Sequence, residues 1–260
     1  MNGKPLADKV GLVIGVANKR SISWGIARAA AAAGARLVLT YQNDRLGENV
    51  RELGATLDQP VLLPCDVTDD AQMDAVFAEI DQRCGRLDFL VHGTAYAGRD
   101  ELSRPFVETG RDGFRTALEV SAYSLVALTQ RAVPLMEKSG GGSVLTLSYL
   151  GAERVFPNYN VMGVAKAALE ASVRYLASDL GSKGIRVNAI SAGAVKTLAA
   201  AGGISGFSGI LQSYRDRAPL RRAVDVDEIG DAAVFLLSEA SRAITGEVMM
   251  VDAGFHVMGI

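Results

Sequence analysis

The chain has 260 residues, 49% of them hydrophobic and 22% charged, with a formal net charge of −2. That is enough apolar material for a sizeable core, well away from the composition of disordered chains. The near-neutral balance gives no reason to expect nucleic acid or an anionic membrane as a partner. The two cysteines, Cys65 and Cys84, lack CxxC spacing, and no signal-like start precedes them, so two reduced thiols in a cytoplasmic protein are expected. No apolar run approaches the length of a membrane span. With no internal repeat and no linker, residues 1–260 read as a single domain.

In chain order, Val10 to Val16 is a short β-branched run, Ser23 to Ala33 is alanine-rich and helical, and Arg36 to Tyr41 is a second strand. Gly34 ends the helix. This is a βαβ unit, whose right-handed crossover builds a parallel sheet. Between strand and helix lies Gly15-x5-Ser21-x3-Gly25, which is not the GxGxxG dinucleotide fingerprint. Its parts serve the same physics. Gly15 permits a tight turn, Gly25 permits close helix packing, and Ser21 and Ile22 offer backbone amides where a pyrophosphate would be stabilised. A glycine turn with no ligand is the ordinary alternative.

A nucleotide site predicts an adenosine selector after the second strand, where the chain reads Tyr41-Gln42-Asn43-Asp44-Arg45. An acidic selector would favour NAD and an arginine NADP; Gln42 is neutral, and Arg45 keeps NADP open. A third strand, Val61 to Leu63, runs into Asp66 and Val67, placed to meet an adenine. Thr68, Asp69 and Asp70 suit the cap of the next helix, to about Cys84, which leaves Asp66 free for a ligand. A fourth strand, Leu87 to His92, is followed by the small residues Gly93-Thr94-Ala95, which let backbone approach a flat ligand. His92 reads as a strand-end residue, and no metal site is expected.

A long helix over 111–138 precedes a strand from Ser143 to Leu147, which ends at Ser148-Tyr149. Pro157 and Asn158 then mark a helix start, with Asn158 as cap, and the helical pattern runs from Tyr159 to Leu180. Tyr159 and Lys166 lie on one face of that helix, roughly 10 Å apart along its axis, and Tyr149 can point to the same face. A phenol can donate to an oxygen that becomes negative during reaction. A nearby ammonium lowers the phenol's pKa and holds cofactor hydroxyls. Strands over 184–190 and 247–251 follow. Between them, 191–225 is irregular, and its uncharged, glycine-rich segment TLAAAGGISGFSGI at 197–210 reads as a lid. The expected fold is therefore α/β: a Rossmann-like, doubly wound parallel sheet of about seven strands, helices on both faces, and a flexible substrate-binding lid over about 194–215.

These residues resemble the bacterial NADH-dependent enoyl-acyl-carrier-protein reductases of the short-chain dehydrogenase superfamily. The resemblance runs from about Lys9 to Gly254. Ordinary short-chain dehydrogenases carry Tyr-x3-Lys; here Met162 stands in that tyrosine position and Tyr159-x6-Lys166 replaces it. SYLGAE (148–153), PNYNVMG (157–163), NAISAG (188–193), TLAA (197–200) and YQND (41–44) carry the rest. By position, the resemblance implies that Gly15, Ser21 and Ile22 line the pyrophosphate and adenosine side, Gln42 the ribose region, and Asp66 with Val67 the adenine. Thr94 would touch the cofactor near the nicotinamide ribose, and Lys166 would hold that ribose. Val195, Lys196, Thr197, Leu198 and Ala199 would close over the cofactor. Ala97, Tyr149 and Tyr159 would contact substrate, with Tyr149, Tyr159 and Lys166 as the catalytic set. It further implies NADH rather than NADPH, an acyl carrier protein bearing the enoyl thioester, and a homotetramer joined through the helices around 111–138 and 158–180. The proton for the α-carbon would come from water or a Lys166-linked relay.

The chain departs from the family at two positions. Thr94 stands where a large aliphatic residue is usual, and Ala194 where proline is usual. No Lys or Arg lies between Thr197 and Tyr214, so carrier-protein contacts would fall to Lys196, Arg215, Arg217, Arg221 and Arg222. Two alternatives stay open: a reductase of another activated alkene or ketone, such as an enoyl-CoA, and a non-catalytic NAD-binding sensor.

Overall fold

The computed structural model describes residues 3–259 and forms strands β1 (Val10–Ile14), β2 (Arg36–Tyr41), β3 (Val61–Pro64), β4 (Phe89–His92), β5 (Gly142–Ser148), β6 (Ile185–Ala192) and β7 (Val248–Val251). They pair in the order β3-β2-β1-β4-β5-β6-β7, and each pairing is parallel. β1 and β4 are buried along their whole length, which is why they read as continuous apolar runs rather than as alternating ones. The fold is a Rossmann-like α/β sheet with helices on both faces.

The helices are α1 (Ile22–Ala32), α2 (Asp44–Gly54), α3 (Asp70–Cys84), α4 (Arg99–Ser103), α5 (Arg111–Leu118), α6 (Ser124–Lys138), α7 (Asn160–Leu180), α8 (Leu198–Gly203), α9 (Phe207–Arg217) and α10 (Val226–Leu237). One apolar layer joins the sheet to α3, α6 and α7 through residues such as Ile80, Leu128 and Leu169. The opposite layer carries Ile26 and Ala30 of α1 with Ile229 and Leu236 of α10. The chain leaves β1 toward β2 on one side and β4 on the other. That reversal opens a crevice at the carboxyl ends of the two strands, where open α/β sheets bind ligands.

Several boundaries differ from those read in the sequence. The helix expected over 111–138 is interrupted by a π-helical turn at Glu119–Tyr123. Ser121 in this turn bonds the backbone of Tyr96 in both directions, accepting from its amide at 3.0 Å and donating to its carbonyl at 3.3 Å. The irregular turn thus anchors the loop after β4, a use typical of π-bulges beside functional sites. The stretch 191–225 holds α8 and α9 rather than only loop. Three helices, α2, α4 and α10, have no counterpart among the elements read from the sequence; Asn43 caps α2, and Asp225 with Glu228 forms a capping box on α10. Asp69 caps α3, accepting from the amides of Ala71 and Gln72.

Helices α1 and α10 meet backbone to backbone. A Cβ added at Gly25 would lie 2.7 Å from the carbonyl oxygen of Val226, and one at Gly230 would lie 2.9 Å from Cβ of Ala29. Gly25→Val is expected to overpack this contact at a cost of about 3 kcal/mol. Calorimetry should show the thermal midpoint falling by about 5–10 °C; an unchanged midpoint would mean that the two helices separate freely.

Candidate active site

A cavity of about 1020 Å³ lies at the carboxyl ends of β1, β4, β5 and β6. At its β1 end Gly15 has φ +90°, and a Cβ there would meet the carbonyl oxygen of Gly93 at 2.4 Å. Only glycine lets these two strand ends approach so closely. Ser21 closes the following turn by accepting from the amides of Ala17 at 3.3 Å and Asn18 at 3.1 Å. Its own amide donates to the Asn18 carbonyl at 3.0 Å. The expected free amide at Ser21 is therefore spent inside the turn. The amides of Ile22 and Ser23, in the first turn of α1, are the ones without an intrahelical acceptor, and both residues line the cavity.

Farther along, Gln42 Nε2 donates to Asp66 Oδ2 at 3.0 Å. Asp66 Oδ1 accepts from the amide and hydroxyl of Thr68, at 2.9 and 2.7 Å. Asp66 is thus not left free as its position in the sequence implied. Both oxygens are engaged, joining the end of β2 to the turn after β3. Burial opposes its charge, but the bonds from Thr68 and Gln42 outweigh that and hold its pKa below the ordinary value. Val67, Thr94 and Ala97 line the cavity beyond it.

Tyr149 and Tyr159 meet edge to face, with ring centroids 5.0 Å apart and planes at 66°. Tyr159 occupies the N-cap position of α7. Its two neighbours are both left-handed, Asn158 at φ 62° and Asn160 at φ 38°. Such strain persists only where the surroundings hold it, and the side-chain bonds show what does. Asn160 Nδ2 donates to the carbonyls of Leu102 at 3.1 Å and Arg104 at 2.6 Å, and Asn158 Nδ2 donates to Ser205 at 2.9 Å. Asn158 therefore does not cap the helix; it ties the helix entry to the segment between α8 and α9. Gly151 provides the floor, since a Cβ there would stand 2.5 Å from the Tyr159 ring.

Lys166 is buried and donates from Nζ to the Leu147 carbonyl at 2.6 Å. An ammonium has three hydrogens, so two remain for other acceptors. One turn on, Glu170 is buried and accepts from the Ser148 hydroxyl. Burial pushes Lys166 down to about 8, with Glu170 opposing the shift. The expectation that Lys166 lowers the Tyr159 pKa is not met: burial drives the phenol well above its ordinary range, and Tyr149 and Glu170 raise it further. Tyr159 is consequently a proton-holding donor at neutral pH. Burial takes Tyr149 up to about 12. His92 is fully buried, bonded to Thr146 and Ser124 at 2.7 and 2.8 Å, and pushed by burial to about 3. It is a neutral core residue.

In the segment expected as a lid, about 194–215, Val195 is buried, and the Thr197 hydroxyl caps α8 by accepting from the Ala200 amide at 3.0 Å. Thr197, Leu198 and Ala199 line the cavity; Lys196 faces outward. Arg222 is paired with Glu228 at 2.7 Å and Arg221 donates to the Asp216 carbonyl, so these two cations are already engaged. Met162, in the tyrosine position of ordinary short-chain dehydrogenases, is buried against a small cluster with Leu102 and Ala165. Glu170, Gly151, Phe156 and Asn160 had no sequence signal as site residues. Asn160 acts through carbonyls at 102 and 104, and Glu170 through Ser148, both distant in sequence.

A family model described as enoyl-(acyl carrier protein) reductase matches residues 15–256. The chain belongs to this family. The NADH enoyl-acyl-carrier-protein reductase of Bacillus cereus is 53% identical over 256 residues, covering 98% of this chain and 99% of the relative. That of Bacillus subtilis is 53% identical over 248 residues, with 95% of each covered. Among solved structures, the Bacillus cereus reductase with NADP+ and indole naphthyridinone superposes at TM-score 0.96 and 52% identity, covering 99% of this chain and 100% of that one. The Anaplasma phagocytophilum reductase in complex with NAD gives 0.95 and 47%, covering 100% and 98%. The reductase family is thus shared in sequence and in fold along the whole chain.

Lys166 binds its proton less tightly in the folded chain, near 8, than at its ordinary value of 10.5. Between these values the unfolded chain holds more protons, so stability rises with pH through that window. Thermal melts of the wild type against Lys166→Met are expected to show the wild type gaining relative stability from about pH 8 to pH 10. A pH-independent difference would mean that Lys166 titrates at its ordinary value.

Proposed function

We propose that this chain reduces the 2,3 double bond of trans-2-enoyl thioesters on acyl carrier protein with NADH, as a single cytoplasmic domain with a lid over about 194–215. The observation that carries the reading is the placement of Tyr159, edge-packed on Tyr149, in the same cavity as Lys166 and the Gly15–Ile22 turn. The residues fit a dinucleotide: a glycine-only strand approach, open amides at Ile22 and Ser23, and a neutral Gln42 held on Asp66.

NADH, when bound, would supply a hydride to the β-carbon. The electron pair of the double bond would then move toward the thioester, leaving charge on its oxygen, and the α-carbon would take a proton from water or a Lys166-linked relay to complete the reduction. Tyr159, kept protonated by burial, donates a hydrogen bond to that oxygen where the charge develops. Lys166, with two ammonium hydrogens beyond the one given to Leu147, would hold the ribose hydroxyls of the cofactor and so orient it. Tyr149 borders the acyl pocket, and α8 with Val195 closes over it and excludes water. Lys196, Arg215 and Arg217 are the cations we assign to the acidic carrier protein. Exposed Phe114, Tyr123 and Tyr175, on α5, the π-turn and α7, are the apolar residues we assign to contacts in a homotetramer.

The test is loss of NADH absorbance with a trans-2-enoyl thioester, with NADPH and a plain ketone in parallel. Turnover of the enoyl thioester alone is expected; reduction of the ketone instead would move the chain to a different reductase class. Tyr159→Phe should lower kcat by about 100-fold or more while the KM for NADH stays within about twofold. Lys166→Ala should damage both. A silent Tyr159→Phe would mean that another group meets the developing charge on the thioester oxygen. Light scattering should give a mass of four chains of 27.4 kDa, and a monomer would leave the α5–α7 face without the assigned partner.

A further inference from the structure

The first turn of α7 caps another helix. A helix of five residues, such as α4, leaves its last carbonyls without amides of its own. Asn160 supplies the missing donors from α7. Its Nδ2 lies 3.1 Å from the Leu102 carbonyl, 2.6 Å from that of Arg104 and 3.5 Å from that of Glu101. An amide nitrogen has two hydrogens, so both are engaged by this one turn of chain. The Glu101 carboxylate in turn accepts from the Gly110 amide at 3.2 Å, which joins α4 to the start of α5.

The segment held in this way forms a wall of the cavity. Leu102 is buried against Val161, Met162 and Ala165 of α7, and Tyr159 and Ala97 pack on the same cluster. Leu102 and Tyr159 both line the cavity, whereas Asn160 does not. Asn160 stands at φ 38°, a left-handed conformation where a regular helix has a negative angle. That turn lets its side chain reach back to 102–104, and it sets the direction from which the chain delivers the Tyr159 side chain. The ring then rests over Gly151, where an added Cβ would stand 2.5 Å away. A left-handed backbone costs free energy, and packing of Tyr159 by itself does not need a donor on the next residue. The amide of Asn160 is what joins Tyr159 to the cavity wall.

We propose that Asn160 is a positioning residue of the site. Its amide, bonded to the carbonyls of Leu102 and Arg104, holds Tyr159 at a fixed distance from the Leu102 wall, where the enoyl chain would lie. The proposal rests on the reductase reading and adds to it a residue that touches neither substrate nor cofactor. Asn160 acts through Tyr159. Its loss should therefore lower turnover of the thioester, leave the cofactor end untouched, and depend on the Tyr159 hydroxyl being present.

The experiment compares Asn160→Gly in the wild type and in a Tyr159→Phe background. Glycine keeps the left-handed backbone and removes the side-chain amide. In the wild type, kcat for the enoyl thioester is expected to fall about tenfold, with the KM for NADH within about twofold. In the Tyr159→Phe background the same change should alter kcat by less than about twofold. An equal fall in both backgrounds, or no fall in the wild type, overturns the proposal. Asn160→Asp keeps the shape but offers no N–H, so it should lose turnover as the glycine variant does; full activity in it also overturns the proposal. A second readout needs no turnover: in protein labelled with 3-fluorotyrosine, the 19F resonance of Tyr159, assigned through Tyr159→Phe, should shift in both Asn160 variants. An unmoved resonance overturns the proposal even where the wild type fails to reduce the thioester. That failure by itself would count against the reductase reading alone.

Discussion

The burial of one ammonium governs how the site is built. Lys166 is taken almost wholly out of water, and a charge so placed is tolerated only if the protein replaces its hydration. The Leu147 carbonyl does part of this at 2.6 Å, and Glu170, one turn further along α7, supplies opposite potential. Because Leu147 lies at the end of β5, the bond sets the height of α7 against the sheet. It thereby places Tyr159, at the start of the same helix, over the carboxyl ends of the strands.

The entry to α7 is strained for the same purpose. Two left-handed asparagines bracket Tyr159, and each spends its amide on a separate segment, the 102–104 carbonyls or Ser205. A regular cap would have started the helix without linking it to anything. The observed arrangement couples Tyr159 to the C-terminal end of α4 and to the segment between α8 and α9. In the proposed reaction such rigidity would suit Tyr159, since a donor already oriented needs no reorganisation as charge develops.

At the other end of the cavity the design is one of close approach rather than strong charge. Gly15 and Gly93 bring two strand ends together, and the end of β2 is joined to the turn after β3 by a neutral Gln42 bonded to an ionised Asp66. The site holds no His or Cys in a metal-binding arrangement among the described residues. Polar groups there are shared among turns, Gln42 and Thr68 both donating to Asp66.

The order of the seven strands, the glycine turn and the Tyr159–Lys166 spacing were legible in the chain, whereas helices α2, α4, α8, α9 and α10 were not. Hydrophobic runs, helix stops and helical periodicity are local properties, and neighbours in sequence determine them. The family resemblance was legible for the same reason, since its motifs are short and contiguous. What could not be read were relations between segments. Ser21 spends its amide on Asn18, Asp66 is occupied by Gln42 and Thr68, and the 111–138 helix yields to a π-turn that Ser121 anchors on Tyr96. The pKa of Tyr159 belongs to this class: proximity in sequence to a lysine pointed down, whereas burial among rings and Glu170 decided the shift upward. Sequence by itself determined the seven strands and the helices that follow β1, β3 and β5, because those depend on local patterning. Only the tertiary structure decided which polar groups remain free and which protons are held, because desolvation and hydrogen-bond partners exist only once distant segments have packed.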